Sequence, residues 1–106
     1  MGTDVRFSGS TCVSMLVYGR HLFMANVGDS RAIIISEDPD NLRRCLARAL
    51  TRDHKPDDPD EERVIIAAGG RVDTYRDAMG RKVGPERVWM KDQDLPGLAM
   101  SRSFGD

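Results

Sequence analysis

The sequence predicts an α+β fold built on antiparallel strands. Two strand-forming runs, TCVSMLVY from Thr11 and HLFMANVG from His21, are separated only by Gly19-Arg20, a break of hairpin length. One clear helix pattern, DPDEERVIIAAGG, follows from Asp58 to Gly70. Both runs of the hairpin are apolar on alternate and on intervening positions. That pattern predicts burial on both faces, as in a strand held between another sheet and a layer of helices.

A third strand, RAIIIS, follows the turn at Gly28-Asp29-Ser30. EDPDNLRRC is polar and turn-prone and reads as the tip of a long hairpin, from which LARALT returns toward the sheet. The composition of LARALT fits helix or strand. A short strand is favoured, because Thr51 leads straight into the turn-rich loop RDHKPDDPDEE. In the helix that follows, Asp58 can cap, Pro59 suits the first turn, and Asp60, Glu61 and Glu62 complement the positive end of the dipole. Gly69-Gly70 gives a left-handed stop after about three turns. Ile65 and Ala68 are expected to face a sheet, with Glu61 and Glu62 turned outward. Beyond Gly70 the chain is charged, holds glycine and proline, and keeps no period, so it reads as an irregular excursion with short strands near Val72 and from Arg87 to Met90.

A length of 106 residues fits one domain or a piece of a larger one, and 40% apolar content supplies a modest core. Sixteen basic against seventeen acidic side chains give a net charge of -1, without the field that attracts nucleic acid or an anionic membrane. No apolar run approaches the roughly 20 residues needed to span a bilayer, and the N-terminus lacks the apolar stretch of a signal peptide. The expected setting is intracellular, cytoplasmic or nuclear. Cys12 and Cys45 stand singly in apolar surroundings and read as two free, mostly buried thiols.

Four places offer chemistry. Asp29, taken alone, fits an ordinary β-turn, or else a carboxylate held at a strand end for a hard divalent cation. Asp53 and His54 are adjacent on an extended segment and so point to opposite sides, which favours a structural loop in which His54 bonds to neighbouring segments. Ser101 lacks the glycine-flanked elbow of a nucleophile, and two histidines in the whole chain leave little to activate it. Trp89, between Arg87 and Lys91, fits either a protein contact or a packed anchor. Gly69-Gly70 ends a helix instead of opening one and is no phosphate cradle.

SGSTCV, ANVGDSRAI, LTRDHKPDDPDEERVIIAAGGRV and VWMKDQDLPGLAMSRSFGD stand in an order and at spacings that resemble the central part of a metal-dependent protein serine/threonine phosphatase of the type 2C family, from Ser8 to Asp106. The resemblance implies an α/β/β/α sandwich of two antiparallel sheets flanked by helices, incomplete in this chain. Residues 1–106 would then be the central portion of one catalytic domain, with a flap-like segment at 71–95. It also implies Mg2+ or Mn2+ as cofactor and phosphoproteins as substrates. In such enzymes a water activated by two metal ions attacks phosphoserine or phosphothreonine directly. On this likeness Asp29 lies near the metals and can take a further, loosely held ion. Gly9, Ser10 and Thr11 line the base of the active site. Ser30, Arg31, Asp53, His54, Ser101, Arg102, Gly105 and Asp106 are structural, and Trp89 is a substrate or partner contact.

The family's Asp-Gly-His-Gly block, its upstream acid and phosphate-binding arginine, and its later Asp-Gly and Asp-Asn segments have no counterpart in these 106 residues. The chain by itself is therefore expected to be inactive and to hold no metal tightly. The alternative is a non-catalytic phosphatase-like interaction or regulatory module. Unpaired strand edges of an incomplete sandwich are expected to invite self-association.

Overall fold

A computed structural model describes residues 2, 5 and 7–106. The first hairpin is β1 (Cys12–Tyr18) and β2 (His21–Val27), antiparallel from Cys12↔Val27 to Tyr18↔His21, and it turns at Gly19. The second hairpin is longer than expected at its tip, for β3 (Ile33–Asp38) pairs with β4 (Asn41–Ala49) almost to the turn. The polar stretch EDPDNLRRC is thus mostly strand, with a register shift between Glu37 and Asp38. Its charged side chains are tolerated because both faces of β4 are open to solvent.

Asp58 caps helix α1 (Pro59–Ala67), accepting a hydrogen bond from the Asp60 N–H at 3.0 Å. Gly69, at φ 86°, supplies the left-handed stop, whereas Gly70 already belongs to β5 (Gly70–Arg76). The excursion beyond Gly70 is regular. β5 pairs antiparallel with β6 (Lys82–Met90), and β7 (Pro96–Leu98) adds a third strand to that sheet. Two features conceal the alternation in the sequence. The turn is built by the Asp77 side chain, which accepts from the N–H groups of Met79 and Arg81, and the register shifts between Thr74 and Tyr75, opposite Gly84-Pro85.

The sheets do not stack into one core. The radius of gyration is 18.2 Å, against about 13 Å for a compact chain of this length. Among the described residues, extensive packing runs within each sheet and between α1 and β5. The expected burial of the first strands on both faces is therefore not met: Leu16, Val17 and Ile35 are all more than 60% exposed. Cys12 and Cys45 are likewise exposed, since each lies on a two-stranded hairpin that no second layer among the described residues covers. Burial concentrates instead at the junction where the loops meet, at Gly28, Pro56, Glu61 and Ile65.

Gly28 is the residue this junction cannot change. It is buried at φ 99°, and a Cβ there would run into the Thr11 side chain and lie 3.3 Å from the Arg102 carbonyl oxygen. Gly19 has φ 60° but open space around it. In urea unfolding of the full-length protein, Gly28→Ala is expected to cost about 3 kcal/mol, and Gly19→Ala about 1 kcal/mol from backbone conformation alone.

Candidate functional site

The site is assembled from four segments that the hairpins and helix bring to one place. β2 ends at Val27, and the loop that follows carries Gly28, Asp29, Ser30 and Arg31. The loop after β4 returns alongside it. Gly28 donates its N–H to His54 Nδ1 at 3.0 Å, and the His54 N–H donates to the Gly28 carbonyl at 3.0 Å. With Nδ1 accepting, the imidazole proton sits on Nε2. The His54 carbonyl in turn accepts from the Ser101 N–H at 3.0 Å, which draws in the third segment. The fourth is the start of β1, where Ser10 and Phe104 exchange backbone hydrogen bonds at 2.9 Å and Thr11 Oγ1 meets Ser30 Oγ at 2.7 Å.

Three charged pairs lock these segments. Arg31 donates two parallel hydrogen bonds to Asp53, both at 2.8 Å, and its guanidinium holds the Asp53 carboxyl below the usual range. Arg102 grips Glu61 in the same two-pronged way at 2.8 and 2.7 Å. Ser101 Oγ adds a third donor to that carboxylate at 2.6 Å. Lys55 Nζ donates to Asp29 Oδ2 at 2.5 Å and to the Ala99 carbonyl at 3.2 Å.

The structure brings Gly9, Ser10, Thr11, Asp29, Ser30, Arg31, Asp53, His54, Ser101, Arg102, Gly105 and Asp106 into this junction. Gly9 and Gly105 are there because a Cβ on either would strike its neighbours, the Asp106 carboxylate for Gly9 and the Ser8 carbonyl for Gly105. Asp53 and His54 do turn to different partners, and Ser101 serves a carboxylate, not a base. Trp89 stands apart, on β6. Its Nε1 donates to the Asp73 carbonyl at 2.9 Å, Arg71 lies 5.5 Å from the ring centroid, and Gly97 leaves room for the ring. A cavity of about 190 Å³ opens beside it, between Arg71, Tyr75, Arg76 and Asp94.

Two functional side chains escape sequence reading. Glu61, expected to point outward, is buried at 8% exposure, while Ala68, expected inward, is an exposed helix cap. The signal was available, because Glu61 lies one turn before Ile65 and shares its face. Lys55 carries no comparable signal. Only the folded loop sets it against Asp29.

The chain matches the family model described as protein phosphatase 2C over residues 4–106. It is 48% identical over 105 residues to "Probable protein phosphatase 2C 52" of Arabidopsis thaliana, covering 97% of this chain and 21% of that protein. It is 44% identical over 105 residues to "Probable protein phosphatase 2C 48" of Oryza sativa subsp. japonica, covering 97% and 29%. To "Probable protein phosphatase 2C 73" of the same rice it is 43% identical over 105 residues, covering 99% and 24%. No solved structure matches. These relatives share one class by name, the protein phosphatases. Within that class the chain belongs to the protein phosphatase 2C family. It spans between a fifth and a third of the length of these curated relatives.

Among the described residues no three His, Cys, Asp or Glu side chains stand together as metal ligands, and the Asp29 carboxylate is engaged by Lys55. The described residues do not by themselves fit a two-metal centre.

The Glu61 pair has a pH signature. Hydrogen bonds from Arg102, then from Ser101, hold the Glu61 carboxyl down at about 2, against 4.5 ordinarily, although burial opposes them. A depressed carboxyl stabilises the fold above its unfolded value and loses that contribution as pH falls through the folded one. Stability of the full-length protein is expected to drop by roughly 2 kcal/mol between about pH 4.5 and 2 from this group, a figure discounted for the half-exposed Arg102. Glu61→Gln should remove that part of the slope and lower stability at pH 7, as read by chemical denaturation across the range.

Proposed function

We propose that residues 1–106 form the central portion of the catalytic domain of a protein phosphatase that hydrolyses phosphoserine and phosphothreonine in proteins. In this reading acids outside these 106 residues would hold Mg2+ or Mn2+, which would supply the positive charge needed to lower a water's pKa and offset that of the phosphate. Asp29 reaches toward that centre as the ligand of a further, loosely held ion. Gly9, Ser10 and Thr11 form the floor of the site, and the β5–β6 hairpin, with Trp89 on it, borders the substrate groove. The chain alone is inactive. The observation that carries the reading is the convergence of four family motifs on one junction, with the Asp29 carboxylate at its edge and only a quarter exposed.

The full-length protein is expected to release phosphate from a phosphoserine peptide only with Mn2+ or Mg2+ present. A well-folded full-length protein with no turnover would overturn this and leave a non-catalytic interaction module. Asp29→Asn should lower its activity several-fold at limiting metal and much less at saturating metal, in a phosphate-release assay titrated with Mn2+.

The exposed apolar faces of β1–β4 are the surfaces on which further layers of the domain pack. The 106-residue chain on its own is expected to self-associate through these faces and edges, giving a mass above 11.8 kDa in light scattering.

A further inference from the structure

The cavity beside Trp89 takes none of its lining from the junction around Gly28. One wall of it is preset. Trp89 is tied by Nε1 to the Asp73 carbonyl, and its ring edge lies where Gly97 has no side chain, for a Cβ there would stand 2.7 Å from Cζ3. The ring so fixed carries the Arg71 guanidinium above it, which holds a positive charge at the cavity. Arg76, further along β5, lines the same space. These two arginines are less engaged than those of the junction, whose forks are filled by carboxylates. Arg76 meets Asp73 only at 3.8 Å, beyond hydrogen-bond reach, and Asp73 Oδ1 already accepts from the Thr74 N–H at 2.8 Å. Among the described residues Arg71 bonds through Nη2 alone, to the Gln93 carbonyl at 3.4 Å and to the Asp94 carboxylate. Asp94 comes from the loop between β6 and β7, and its side chain is 89% exposed. It sits on Arg71 as a carboxylate arriving from solution would.

We propose that this cavity docks an acidic side chain of a peptide, an aspartate or glutamate beside an apolar residue, whose carboxylate takes the place of Asp94 on Arg71. The volume of about 190 Å³ decides the scale of the ligand, being below the roughly 300 Å³ at which small-molecule sites begin, so it suits one side chain. Charge decides the sign. Once Asp94 swings into solvent, two guanidiniums face a single carboxylate, that of Asp73, and the cavity is net positive where the ligand's charge would lie. A free guanidinium edge offers a carboxylate two parallel N–H groups, which an ammonium does not. Trp89 and the half-exposed Tyr75 give ring surface to the apolar neighbour. The site requires neither a metal nor turnover, so it stands apart from the phosphatase reading.

The test is fluorescence anisotropy of a fluorescein-labelled peptide of three Glu-Leu repeats, titrated with the full-length protein. Its neutral Gln-Leu counterpart, equal in shape, is expected to bind about tenfold more weakly, through loss of the charged hydrogen bonds. Asp94→Asn should tighten the Glu-Leu peptide several-fold, a gain that misfolding cannot produce. Arg71→Gln should weaken it about tenfold and Arg76→Gln several-fold, and the second serves if the first does not fold. Arg44→Gln, on the β3–β4 hairpin, should leave binding unchanged. No binding of the Glu-Leu peptide, equal binding of the two peptides, or no gain in Asp94→Asn overturns the proposal. A loss in Arg44→Gln equal to that in the Arg71 and Arg76 variants overturns it as well, since the attraction would then be to general charge. A protein that binds the peptide but shows no turnover would overturn the phosphatase reading and leave this one standing.

Discussion

The reciprocal hydrogen bonds between Gly28 and His54 hold together everything that is arranged around Asp29. One is backbone to backbone and the other needs the His54 imidazole as acceptor, so the position of the two loops rests on the Gly28 backbone and on that one side chain. From that anchor the His54 carbonyl reaches Ser101, and Ser101 and Arg102 reach Glu61 on α1. Remove Gly28 from its left-handed conformation and both loops lose their register, because no residue with a Cβ fits between Thr11 and Arg102.

Charge reinforces what the backbone arranges. Glu61 is the instructive case: a carboxylate at 8% exposure is expensive unless its oxygens are filled, and here three donors fill them. The pair joins α1 to the Ser101–Asp106 segment. Arg31 and Asp53 do the same nearer the surface, where solvent screens them and geometry counts for more than energy. The result is a polar junction in a chain whose apolar surfaces mostly face outward.

Much of this was legible from residues. The first hairpin, its Gly19-Arg20 turn, the Asp58 cap and the Gly69 stop follow from local chemistry, which sequence carries directly. The β5–β6 hairpin was hidden because Gly84-Pro85 and a register shift interrupt the period that marks a strand. The exposed faces of β1 to β4 could not be read, since an apolar pattern records what a strand can be packed against and not whether that layer is within the chain. At the site, adjacency sent Asp53 and His54 to different partners as expected. The pairing of Lys55 with Asp29 and of Arg102 with Glu61 depends on loops meeting from far apart, and no local pattern encodes it.

That distance has a kinetic meaning. The hairpins close across turns of a few residues and form on the order of microseconds. The junction instead joins residues separated by 26 positions at Gly28 and His54, 41 at Glu61 and Arg102, and 44 at Lys55 and Ala99. Each such closure costs chain entropy before any bond repays it. The hairpins therefore form early and the surroundings of Asp29 are completed last, when the Ala99–Arg102 segment arrives.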